Sequence, residues 1–222
     1  MDFGKTIGDS FEYAKEGLVG KWVNWLLLII SCIIFPLILG YIMRIFRGAP
    51  KAPELNEWGS MFIDGIKLFI VGLIFAIPLI IVALVVFGIA IFTGIFSMTA
   101  VGQGNPAAIA GLIMTSLFGA IILAIVSIII GLILATAIVR FARMDSFGEA
   151  FNFTAISNHI GKIGIGSYII ALIIMFIIIC IIESIIMMIP YIGMVLLLIL
   201  YPAFALFEAR YLTLLYDSAG SV

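Results

Sequence analysis

The side chains that could do chemistry in this chain are few, and most stand alone. There is one histidine, His159, in the string SNHIGK, and two cysteines, Cys32 and Cys180, each inside an apolar run. A metal site needs several such ligands together, and no second His or Cys stands near His159 in sequence. The expectation is a surface histidine beside Asn158 and two small thiols behaving as core hydrophobes, with no disulfide between them. The turn GQGN at residues 102–105 would need a carboxylate at its last position to act as an acid or base, and Asn105 supplies none. No H-E-x-x-H, phosphate-binding loop or G-x-S-x-G string occurs. The reading is therefore no catalytic residue, no metal, no cofactor and no enzyme.

Glu183 is the exception that carries weight. It is the only Asp, Glu, Lys, Arg or His in the fourth apolar run, residues 163–189, about two helical turns before Pro190. A charge at the bilayer centre costs about 2.5–3.5 kcal/mol even on permissive insertion scales. Glu183 is accordingly a candidate intramembrane site for a proton or cation, against the plainer reading of a neutral acid bonded to a neighbouring helix. Glu208 and Arg210 fall at the inner end of the last run, where interfacial charges need no special account.

The elements that hold these groups follow from composition. The chain is 65% hydrophobic and 10% charged, with a mean hydropathy of +1.37, whereas soluble domains are about one quarter charged. Its apolar runs exceed the roughly 20 residues that cross a bilayer as helix. The expected fold is all-α: a polytopic helical integral membrane protein with four or five membrane helices, amphipathic surface helices and, on one reading, a re-entrant helical hairpin. With a net charge of −1 no basic face can be assembled to neutralise phosphates, so nucleic acid is excluded as a partner.

A single membrane domain over 1–222 divides as follows. Residues 1–21 form an amphipathic surface helix, with Phe3, Ile7, Phe11, Ala14 and Leu18 toward lipid and Asp2, Lys5, Asp9, Glu12 and Glu16 opposite. Residues 22–46 are a first membrane run or a re-entrant hairpin. Residues 47–65 are a cytoplasmic elbow, 66–139 a helical hairpin bent at Pro78, 140–162 a second elbow and 163–216 a second hairpin. No cleavable signal peptide is visible in the first residues, MDFGKTIGDSFEYAKEG, which alternate acids and bases.

Lys and Arg flank the two elbows and the C-terminal end, and the turns near Gly102 and Pro190 carry none. The positive-inside rule then puts both elbows and the C-terminus in the cytoplasm of a multi-pass cell-membrane protein. Lys5, Lys15 and Lys21 join them only if residues 22–46 enter and return on one side. A weak repeat supports that: DSFEYA, NEWGSMF and DSFGEAF each precede an apolar stretch ending in an arginine, Arg44, Arg140 or Arg210. The repeating unit would be a surface helix and a hairpin, stunted in its first copy to half-helices of about 16 Å each.

Two surface features remain. Ala107, Gly111, Thr115, Gly119, Ser127, Gly131 and Ala135 recur every fourth residue, broken only by Leu123, a small-residue ridge that admits close packing by another helix of this chain or by a second copy. Arg44, Arg47, Lys51, Arg140, Arg143 and Lys162 form a basic collar with Trp58, Phe62, Phe147 and Phe151. Such a collar suits anionic lipid headgroups, at about 1 kcal/mol per charge near the surface.

GYIMRIFRG, the acidic Pro-containing spacer after it, and W..MFIDGIKLFIVGLIFAIP resemble an archaeal family of multi-spanning membrane proteins catalogued only as a domain of unknown function, family 4013. VRFARMDSFGEAFNF and ARYLTLLYDSA extend the resemblance over nearly the whole chain. It implies an archaeal plasma membrane and no particular activity. From the residues, two functions compete. The first is a non-enzymatic membrane component that organises lipid, or a partner membrane subunit, through its collar and ridge. The second is a small oligomeric transporter or channel with Glu183 near its path.

Overall fold

The computed structural model describes residues 2–220, and among these the regular structure is entirely helical. Helices α1 (Phe3–Leu18), α2 (Trp22–Ile33) and α3 (Phe35–Phe46) are short, whereas α4 (Trp58–Gly102) and α5 (Pro106–Met144) are long. A 3-10 turn (Phe147–Phe151), α6 (Phe153–Ile163), α7 (Ile165–Met187) and α8 (Gly193–Asp217) follow. Helices α4, α5, α7 and α8 are each long and apolar enough to cross a membrane; counting α1 and α2, bent by 103°, as one broken span would make five. The chain is a membrane-embedded all-α protein.

Two compact units divide it: one holds the chain up to Val71 and again from Ile133, the other Gly72–Leu132. The second unit has no Asp, Glu, Lys, Arg, His, Trp or Tyr, and most of its Ile, Leu, Val and Phe side chains are exposed, Phe96 by 77%. A surface of that kind is stable only in hydrocarbon. Its turn is local chemistry: Pro106 opens α5 with a preset φ, and the Asn105 side-chain oxygen accepts the Ala107 N–H at 3.0 Å.

In the first unit α8 is the element the others pack on: α1, α2, α3, α6 and α7 all contact it. Helix α1 begins with Asp2 as its cap, whose carboxylate accepts the Lys5 N–H at 3.0 Å. It runs antiparallel to α8, with Gly17 against Leu206 and the Tyr13 ring under Arg210. This corrects the expected lipid-facing stripe. The buried face is Thr6, Ser10, Tyr13, Ala14, Gly17 and Leu18, so Ala14 and Leu18 face protein, and Phe11 stays 67% exposed. Small and hydroxylated side chains let the two helices approach, and Ser10 satisfies its own hydroxyl on the Thr6 carbonyl at 2.7 Å.

Residues 22–46 are not one helix. The chain breaks at Ile34, with φ −95° and ψ 75°, leaving α2 and α3 at 12 residues each, about 18 Å and too short to cross alone. Trp25 of α2 donates its indole N–H to the Ile199 carbonyl at 2.8 Å, next to the turn of α8 that Pro202 deprives of a backbone donor. Helix α3 packs against the start of α4 backbone to backbone. A methyl group at Gly40 would overlap the Met61 carbonyl, and one at Gly65 the Pro36 carbonyl. Trp58 opens α4 itself, so the second copy of the sequence repeat has no separate surface helix. Tyr211 donates to the Ala171 carbonyl at 2.8 Å and ties α8 to α7, and Thr136 donates to the Tyr168 hydroxyl at 2.9 Å, tying α5 to α7.

Candidate functional site

The charged end of the first unit is built around arginines whose partners lie far away in sequence. Arg44, in the last turn of α3, reaches into the elbow. Its guanidinium donates to the Glu54 carbonyl at 3.0 Å, to Asn56 Oδ1 at 2.9 Å and to the Asn56 carbonyl at 2.9 Å. The planar fork of donors suits this work, which one ammonium could not do. Tyr41, one turn earlier, donates to the Pro53 carbonyl at 3.0 Å. Gly40, Tyr41 and Arg44 thus act together, the glycine admitting α4 and the other two holding the elbow's backbone. Glu57, at φ +49°, is held in a conformation that costs a non-glycine residue about 1 kcal/mol or more, and Arg44 lies 3.8 Å from its carboxylate.

Arg47 bridges two segments, Asp64 of α4 at 2.6 Å and Asp145 at 3.2 Å. The Asp64 hydrogen bond is the main reason its guanidinium holds its proton even more firmly than usual. Arg140 pairs with Glu149 of the 3-10 turn, and that bond chiefly pushes the Glu149 carboxyl below its ordinary range. Arg143 donates to both carboxylate oxygens of Asp217, at 2.7 and 2.8 Å, and its guanidinium occupies the space a side chain on Gly48 would need. Gly48 has φ +93°, so its lack of Cβ serves both the turn and the arginine. Arg210 donates to the Ala49 carbonyl at 3.3 Å and lies 4.9 Å over the Tyr13 ring.

His159 corrects its expectation as a surface residue. It is buried with 4% exposure, stacked on Tyr216 at 3.7 Å between ring centroids, and its Nε2 lies 2.9 Å from the Tyr216 carbonyl. A carbonyl only accepts, so Nε2 carries the proton. Burial is the largest influence on the imidazole and holds it below its ordinary range, against the opposing pull of that carbonyl. Among the described residues no group of three His, Cys, Asp or Glu side chains is placed to hold a metal ion.

The collar read from sequence therefore separates into two kinds of cation. Arg44, Arg47, Arg140 and Arg143 are engaged with carboxylates. Lys51 and Lys162 are exposed, as are Lys5, Lys15 and Lys21, and among the described residues none of these five has a carboxylate within 4.0 Å. Trp58 is at 36% exposure on the same end. Lys5 and Lys15 lie on α1, away from the ends of the long apolar runs where the sequence places the collar.

Glu183 lies half-buried on α7. Its notable neighbour is one that sequence position hid: Glu183, Glu208 of α8 and Cys32 of α2 are all within electrostatic reach of Tyr201, and the two carboxyls of each other. Neither glutamate has a cationic partner within 4.0 Å among the described residues. The ridge on α5 is in contact at one glycine only. A methyl at Gly119 would strike Val86 of α4, whereas among the described residues nothing lies within 4 Å of one at Gly111 or Gly131. Thr115 and Ser127 turn their hydroxyls to the carbonyls of Gly111 and Leu123, at 2.9 and 2.7 Å.

No curated protein and no solved structure matches this chain. A family model does, over residues 25–192. That stretch takes in Gly40, Tyr41 and Arg44, the elbow they hold, Gly65 and Glu183. The chain belongs to the family described as "protein of unknown function (DUF4013)".

Proposed function

We propose that this protein is a non-enzymatic component of an archaeal cell membrane that gathers anionic lipid around its charged end, with that end and the C-terminus in the cytoplasm. The observation that carries the reading is the division of labour among the cations. Arginines knit elbows and helix ends together, while the five exposed lysines without carboxylate partners remain available to headgroups. The orientation rests on the absence of Lys and Arg from residues 68–139 and 163–209. The open positions at Gly111 and Gly131 leave room for a helix of a second copy or of a partner subunit.

The test is the composition of the lipid that stays with the protein. Purified from bilayers of equal phosphatidylglycerol and phosphatidylcholine, it should retain the acidic lipid in excess over its share of the membrane. Retention in the bulk ratio would sink the reading. A second reading, a small transporter or channel, is favoured by one observation, the approach of Glu183, Glu208 and Tyr201 inside the helices.

A further inference from the structure

We propose that the groove between α1, α7 and α8 holds one hydrocarbon chain of an acidic lipid, with Lys15 at its headgroup; this rests on the lipid-gathering reading and gives it a place. The groove has a volume of about 290 Å³, near the lower end of the range for small-molecule sites. On the α1 side Ile7, Phe11, Lys15 and Val19 border it at intervals of four residues. Ile179 of α7 and Phe204 of α8 are among the side chains opposite. Trp25 closes one edge, and its indole N–H is already bonded to the Ile199 carbonyl, so it offers the groove only ring surface.

The chemistry of the walls selects the occupant. They are apolar apart from Lys15. An extended peptide segment laid there would leave its N–H and C=O groups without partners, at a cost of several kcal/mol each in hydrocarbon, and a helix, about 10 Å across, is too wide for a groove of this volume. A lipid chain has no such groups. The Lys15 side chain is exposed and is without a carboxylate within 4.0 Å among the described residues, and a lysine stem can lie along apolar surface while its ammonium meets a phosphate. Apolar walls and one free cation match a single-chain slot under an anionic headgroup.

Trp25 reports occupancy. In the full chain carrying Trp22→Phe and Trp58→Phe, phosphatidylglycerol with brominated acyl chains should quench Trp25 at a mole fraction about fivefold lower than brominated phosphatidylcholine. Lys15→Gln, at an exposed position, should abolish that preference and leave quenching by phosphatidylcholine unchanged. Ala203→Phe, which fills the groove from α8, should reduce quenching by both lipids several-fold. The proposal is overturned if Lys15→Gln keeps the preference or if Ala203→Phe leaves quenching intact. Lys51→Gln with Lys162→Gln separates the two levels of the claim. If that pair lowers total acidic lipid retained while the groove variants change nothing, the groove falls and the lipid-gathering reading stands. If neither set changes anything, both fall.

Discussion

Replacing Gly65 by alanine puts the contact between α3 and α4 under direct test. The added methyl would overlap the carbonyl carbon and oxygen of Pro36, with the Gly40 nitrogen at 2.9 Å. These obstacles are backbone atoms, which cannot swing aside as a side chain would. Overpacking costs about 1–3 kcal/mol, and the upper end applies here. Against it stands the gain of alanine over glycine in a helix, about 1 kcal/mol, leaving a net loss of about 2 kcal/mol. For a chain of this size that is roughly 4–8 °C in melting temperature. Gly72, one heptad further along α4, has nothing within 4 Å of such a methyl, so Gly72→Ala should raise the melting temperature by roughly 2–4 °C. Thermal unfolding of the two variants in the same detergent reads the difference in sign. Equal shifts, or a loss at Gly72 and none at Gly65, would refute the packing argument.

Three further outcomes are expected. Arg44→Lys keeps the charge but loses the fork that holds Glu54 and Asn56; at about 2 kcal/mol, local opening of residues 47–57 should rise roughly thirtyfold, read as faster proteolysis of the elbow. Burial holds His159 below its ordinary pKa of 6.5, so the unfolded chain binds the proton first and the stability due to the neutral ring is lost as pH falls below that value. Arg140 and Lys162 reinforce the effect and Asp217 opposes it; the melting temperature should drop below about pH 6.5, and His159→Gln should flatten that part of the profile. On the lipid-gathering reading, proteoliposomes should pass ions no faster than empty liposomes, and Glu183→Gln should change nothing; flux that Glu183→Gln abolishes would favour the transporter instead.

Membrane class and helical content were legible because hydropathy is a local property: α7 carries one charged residue, Glu183, among its 23, and most of the others are Ile, Leu, Met, Val, Phe or Tyr. Helix α1 shows where that signal misleads. Hydrophobic periodicity selects Phe3, Ile7 and Phe11, but the face that docks on α8 carries Thr6, Ser10 and Gly17, because close helix approach favours small side chains whatever their polarity. The ridge on α5 was conspicuous for its repetition, yet the tightest backbone approach rests on the solitary pair Gly40 and Gly65, which has no period to find. The ion pairs were hidden by distance along the chain: Arg47 meets Asp145 98 residues on, and Arg143 meets Asp217 74 residues on. Only a fold brings such pairs together. For the same reason the basic residues could be counted in sequence but not sorted into those already paired and those free.

Native mass spectrometry with graded phosphatidylglycerol tests that sorting most directly. A variant with Lys5, Lys15, Lys21, Lys51 and Lys162 changed to Gln should lose most bound acidic lipid while keeping its melting temperature, since none of these lysines has an ion pair to lose among the described residues. A variant with Arg140→Gln and Arg143→Gln should keep its lipid and lose stability, because each arginine leaves a carboxylate, Glu149 or Asp217, without its partner. The opposite pattern, lipid lost with the arginines and retained without the lysines, would contradict the account.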